Sequence, residues 1–347
     1  MSKQYKFFFY YSIFSIIFIL SLLISFNYYF SKKVFLDLKI KDHILKIRNN
    51  KLISPANIGD LYFDRYFKIG LAQYSTSECY LVGSSQHTVI NYEYLRSGKK
   101  INDCKNLDNL SLQTATLEDY AILSYFLIKK EQKPKKIIFA LESPIFLFNF
   151  DPSSRWKVLD TIFYEFIKIA KIEYIYFRDY NFNTYLDFNL LKNNLYFIFE
   201  KNLLINSFDK KDNFKLTENL AYYDSYGVLN NRKEEKRENV YDMVGFTDNY
   251  EYDKATFFFE KMLVYLNSLD IEIELLLLPY RPDVYDNSTW ASDIKKFDKQ
   301  IQYLKKKYNL KILGTLYPEQ ADCVTDDFID KSHPKINCIL KSLNIDY

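Results

Sequence analysis

Histidine is nearly absent from this chain: His43, His87 and His333 are the only three in 347 residues, so any chemistry that needs an imidazole must use one of them. Glycine is almost as scarce. Seven glycines lie far below the usual ~7% of globular proteins, and each that remains is expected to meet a backbone need. The four cysteines, Cys79, Cys104, Cys323 and Cys338, contain no C-x-x-C pair and no Cys/His zinc spacing, so no metal site is expected. Four is enough for two disulfides outside the cytoplasm. Charge of one sign is lacking too. A net charge of +3, with no basic run inside a recognisable RNA or DNA module, argues against a nucleic-acid partner.

A long apolar run is present at the N-terminus. Phe7 to Ser31 holds no charged residue. A helix needs about 20 apolar residues to cross the hydrocarbon core, so residues 7–31 predict a single transmembrane anchor with some tilt. Lys3 and Lys6 precede it, Lys32 and Lys33 follow it, and Tyr10, Tyr11, Tyr28 and Tyr29 sit near its ends as interfacial aromatics do. A cleaved signal peptide would have an apolar stretch of about 7–15 residues ending in small side chains. This one is longer and ends Asn27-Tyr28-Tyr29-Phe30. Six Lys and Arg residues between Lys32 and Arg48, against two before the anchor, would by themselves hold the following domain in the cytoplasm.

Residues 32–78 read as a stalk and lead-in helix, and residues 79–347 as one α/β domain. Short apolar runs at Cys79–Val82, Leu107–Leu112, Ile137–Leu141, Ile271–Leu278 and Leu310–Leu313 predict five strands. Helical patterns at Leu117–Lys130, Tyr252–Leu269 and Ala291–Tyr308 separate them, and a last helix is expected from His333 or Pro334. This alternation predicts a parallel sheet covered on both faces. An insertion at about 143–250 reads as a helical subdomain, with helices at Arg155–Lys171 and Asn189–Lys201. Cys79 and Cys104 fall near the amino ends of neighbouring strands, where a spacing of about 4.8 Å is compatible with a disulfide.

In open parallel sheets function gathers outside the carboxyl ends of the strands. There the chain places Gly83-Ser84-Ser85 after the first strand, Gln113-Thr114 after the second and Glu142 after the third. Tyr280 and Arg281 follow the fourth strand, and Asp330-Lys331-Ser332-His333-Pro334 follows the fifth. A serine hydroxyl, an imidazole base and a carboxylate to orient it are the three roles of nucleophilic acyl transfer. Ser85 also suits a helix N-cap, and His333-Pro334 an ordinary helix start.

At these residues the chain resembles the SGNH (GDSL-like) hydrolase superfamily, in particular membrane-anchored bacterial members acting on cell-surface polymers. Gly83-Ser84-Ser85 matches the family's Gly-x-Ser, Asp330 to Pro334 matches its Asp-x-x-His-Pro, and Leu275 to Asp286 looks like the Leu-Pro-x-x-Pro segment of such relatives. The resemblance covers roughly 78–145 and 250–345. It implies a three-layer α/β/α, flavodoxin-like sheet carrying a serine esterase or O-acyltransferase for a cell-envelope carbohydrate polymer. Ser85, His333 and Asp330 would be its catalytic residues, with no metal or organic cofactor. Ser85 and Thr114 would supply the oxyanion hole, and Glu142, Tyr280 and Arg281 are the candidate substrate contacts. The anchor would sit in the bacterial inner membrane with the domain facing the periplasm or outside, against the Lys/Arg count, and envelope-assembly proteins would be further partners. Two positions depart from the family's pattern. Thr114 stands where a glycine is usual, and Glu142 stands nearest the place of an asparagine donor. The alternative is therefore a non-catalytic envelope scaffold that keeps the fold.

Overall fold

The computed structural model describes residues 3–33, 61–97, 103–147, 159–173, 252–286 and 288–344, with a few isolated positions between them. It opens on helix α1 (Lys3–Lys33), in which Phe7–Asn27 is long and apolar enough to cross a membrane. Side chains such as Phe8, Phe14 and Ile17 lie exposed around it.

Helix α2 (Leu61–Tyr74) enters the α/β domain and leads to strand β1 (Cys79–Val82), helix α3 (Tyr92–Ser97), strand β2 (Leu107–Asn109) and helix α4 (Leu117–Lys129). Strand β3 (Lys136–Leu141) runs into the short helix α5 (Ser143–Leu147), and helix α6 (Asp160–Ile169) follows. The domain closes with helix α7 (Tyr252–Asn267), strand β4 (Glu272–Leu277), helix α8 (Ser288–Tyr308), strand β5 (Lys311–Gly314) and helix α9 (Ile336–Leu343). The five strands are all parallel, in the order β2-β1-β3-β4-β5. That is a doubly wound order, with its reversal beside β1.

Strand periodicity divides the core. Tyr80, Val82, Ile137, Phe139, Leu141, Leu275 and Leu277 point to one face, where they meet α2, α4, α6, α7 and α8. Leu81, Ile138, Ala140, Leu276 and Leu313 point to the other, where Ile339 and Leu343 of α9 and Leu95 of α3 cover them. Both faces being covered, β1 and β3 read as nearly continuous apolar runs rather than alternating ones. In α8 the spacing of Trp290, Ile294, Phe297, Ile301 and Leu304 makes a single apolar stripe against the sheet, with lysines outside it. Helix α2 belongs to the same core through Phe67, Ile69, Leu71 and Ala72.

The amino ends of the strands carry a buried cation. Lys136 Nζ lies 2.7 Å from Glu274 and 3.0 Å from Asp103, which offsets the cost of burying its charge. Beside it Cys79 is bonded to Cys104 across a Cα separation of 6.0 Å, the pairing expected from strand spacing. A second disulfide joins Cys323 to Cys338, at 5.6 Å between Cα atoms.

Three expectations change. The last helix starts at Ile336 rather than His333 or Pro334, because His333 N–H donates to Asp330 Oδ1 and Ile329 N–H donates to His333 O, a loop geometry that delays the helix. Helix α8 begins at Ser288, one turn earlier than Ala291. Within the insertion, the helix expected at Arg155–Lys171 is α6, and Tyr222–Tyr223 pairs with Ser54–Pro55 and Leu229–Asn230 in a small antiparallel sheet. The helix expected at Asn189–Lys201 falls outside the described residues.

Candidate active site

Gly83 follows β1 at a point where nothing larger fits. A Cβ there would lie 2.8 Å from Ser111 Oγ and 3.0 Å from both Ala140 Cβ and His87 Cβ. The chain then turns through Ser84 into a short 3-10 turn, Ser85–His87, which lifts Ser85 out of the sheet end. The loop after β5 comes to the same place. It is tied to the end of β4 by Arg281 N–H donating to Lys331 O at 3.0 Å, and it is closed upon itself by the Cys323–Cys338 bond.

These two turns bring together three residues far apart in the chain. Ser85 Oγ lies 2.9 Å from His333 Nε2, and His333 Nδ1 lies 2.8 Å from each carboxylate oxygen of Asp330. Asp330 is buried, and burial works against its charge. Hydrogen bonds from His333 and from the backbone N–H groups of Ser332 and His333 outweigh that and hold its carboxyl well below the usual carboxylate range. A carboxylate so fixed places the proton on Nδ1 and leaves Nε2 free to accept from the Ser85 hydroxyl. The His333 side chain keeps 16% of its surface exposed, so the dyad it forms with Ser85 is reachable from solvent.

His87 takes another part. It is fully buried, and its Nδ1 accepts from Ser84 N–H at 3.3 Å. Burial, with the nearby His333 adding to it, pushes its pKa down to about 3, so it is a neutral packing group. Glu142, just past the end of β3, is half-buried and accepts from the side chain of Ser84. Burial raises its carboxyl, the Ser84 hydroxyl lowers it and the Asp330 charge raises it again, to about 7. Near neutrality this group is partly a neutral acid, so the repulsion that a full carboxylate would exert on an oxyanion is reduced.

The remaining candidates divide. Thr114 is exposed and sits at φ +49°, the left-handed conformation that glycine adopts without strain. Tyr280 is buried, and its hydroxyl accepts from Ser143 N–H at 2.9 Å, so it braces the start of α5 and offers no surface to a substrate. Arg281 is paired with Asp283 through Nε at 2.5 Å and a second nitrogen at 2.8 Å, which occupies the guanidinium face expected for an anionic substrate. Both side chains are thus engaged by neighbours in their own chain.

Sequence reasoning passed over Ser332, whose N–H and hydroxyl both reach Asp330 Oδ1, although its position two after an aspartate is the spacing of a local Asx turn. It also passed over Asp64 and Arg65, which sit some fifty residues before the turn they contact and leave no local signal. Among the described residues, no group of His, Cys, Asp and Glu is arranged to hold a metal. Comparison with known proteins finds no matching family model and no match among curated sequences.

Proposed function

We propose that this chain is a membrane-anchored serine esterase or O-acyltransferase of the SGNH type, acting on an acylated carbohydrate polymer of the cell envelope. The observation that carries the reading is the continuous hydrogen-bonded line Ser85–His333–Asp330, joined over 248 residues of sequence at the carboxyl end of the sheet. Ser85 Oγ attacks the acyl carbonyl carbon while His333 Nε2 takes its proton, and Asp330 stabilises the imidazolium that results. The tetrahedral intermediate collapses, the C–O bond to the sugar breaks, and the leaving sugar oxygen takes the proton from His333. Water or an acceptor hydroxyl then gives its proton to His333 and attacks the acyl-serine; the second tetrahedral intermediate collapses, the bond from the acyl carbon to Ser85 Oγ breaks, Ser85 Oγ takes the proton back from His333, and the acid or the transferred ester leaves. The backbone N–H groups of Ser85 and Thr114 are the donors in this reading for the oxyanion.

Two disulfides in the domain favour an oxidising compartment, and hence the side of the membrane where such polymers lie. The experiment is a fluorophosphonate probe applied to the full-length protein. Labelling that disappears in Ser85→Ala supports the enzyme. A wild type left unlabelled, while correctly folded, favours the non-catalytic scaffold.

A further inference from the structure

Thr114 is β-branched, and such a residue holds φ at +49° only where its surroundings over-determine it. The surroundings come from α2. Asp64 Oδ2 accepts from Gln113 N–H at 2.8 Å, one residue before the strained position. Arg65 donates through Nε and a terminal nitrogen to the two oxygens of Asp119, at 2.8 and 2.6 Å, and the same terminal nitrogen lies 3.5 Å from Thr114 O. Asp119 in turn accepts from Thr116 N–H at 3.0 Å, the capping bond that starts α4. Asp64, Arg65 and Asp119 are all buried. A third α2 side chain, the buried Lys68, donates to Asn109 O at the end of β2. On its inner side the same segment is fixed to β1, since Leu112 N–H donates to Gly83 O at 3.0 Å, directly before the Ser85 turn.

Three buried polar side chains of one helix thus converge on the segment from Asn109 to Thr116, and that segment lies alongside Gly83. We propose that Asp64 and Arg65 are positioning residues of the active site: by clamping the Gln113–Thr116 turn next to Ser85, they keep the Thr114 N–H set as an oxyanion donor. The inference rests on the esterase reading above. It makes the helix that follows the anchor part of the reaction machinery.

The test uses the full-length chain in detergent with an aryl acetate as substrate, recording kcat, KM and the melting temperature. Asp64→Ala removes the acceptor of Gln113 N–H and lowers kcat by about tenfold or more, with KM held within about twofold. Asp64→Asn keeps an oxygen acceptor and restores most of that loss. The double variant Arg65→Met, Asp119→Asn removes both buried charges together and retains an acceptor for Thr116 N–H, so it folds. Its kcat falls by on the order of 10², the effect of a lost oxyanion donor. Variants that melt lower but turn over at the wild-type kcat overturn the inference, as does an Asp64→Asn as slow as Asp64→Ala. A wild type with no Ser85-dependent turnover overturns the esterase reading itself and this inference with it.

Discussion

Replacing Cys323 and Cys338 by alanine opens the loop that carries both Asp330 and His333. The bond closes a sequence separation of 15 residues, for which chain entropy gives about 3 kcal/mol at 25 °C. In a domain of this size that loss lowers the melting temperature by roughly 6–10 °C. The Cys79–Cys104 bond provides an internal control, because it spans 25 residues at the opposite, amino end of the sheet. The same expression gives about 3.5 kcal/mol for it. Both double-alanine variants should therefore melt lower by similar amounts, and they should differ in turnover. The Asp330–His333 contact is local and survives either change. The Ser85–His333 contact depends on where the whole loop sits, and a misplacement of about 1 Å can cost roughly 10²-fold in rate. Thermal melts, with kcat measured on an aryl acetate, separate the two effects. Wild-type kcat in Cys323→Ala, Cys338→Ala would refute the reasoning. It would mean that Lys335 N–H to Asp327 O at 2.8 Å and Arg281 N–H to Lys331 O at 3.0 Å fix the loop unaided.

Ser85→Ala and His333→Ala should each remove nearly as much activity as both together, with Asp330→Ala costing less; additive losses in kcat/KM would contradict a single working unit. His87, held neutral with a pKa near 3, binds in the unfolded chain a proton that the fold refuses, so stability falls as pH drops below about 6.5. Unfolding free energies of wild type and His87→Asn, from urea titrations, should diverge by about 3 kcal/mol between pH 7 and pH 4, and parallel curves would sink that assignment. Glu142, with its carboxyl raised to about 7, keeps a proton that the unfolded chain loses above about 4.5, so stability declines as pH rises through that window. Glu142→Gln should flatten this decline, worth on the order of 2 kcal/mol at neutral pH after allowing for solvent. For topology, alkaline phosphatase fused after Lys51 should be active; activity only from a reporter that works in the cytoplasm would reverse the outward assignment.

How much of this was legible depends on whether a residue's partners lie near it in sequence. The strands at Cys79, Ile137, Ile271 and Leu310 announce themselves because a strand buried on both faces is apolar at most positions, Glu274 being an exception held by Lys136, and few segments of this polar chain are. Ser85, Asp330 and His333 are readable because each follows a strand and two of them are three apart. The delayed start of α9 was not readable, since it depends on Asp330 drawing in the N–H groups of Ser332 and His333. The partners of Tyr280 and Arg281 were hidden for a related reason. Their position at the strand end invites a substrate, while Ser143 and Asp283 engage them. Arg65 and Asp119, 54 residues apart, carry no pattern that a linear reading can join.

The distance along the chain from α1 to α2 sets a spatial limit on the domain. Ile44, within that stretch, packs into the core of the domain, so from Lys33 the backbone can span at most roughly 40 Å before it meets the domain, even drawn out fully. If α1 sits in a membrane, as proposed, the face of the domain that Ile44 joins stays within that reach of the lipid. Were the substrate the outward-growing polymer proposed above, its newest segments would pass the domain first, and modification would follow the order of synthesis rather than the abundance of chains at the outer surface.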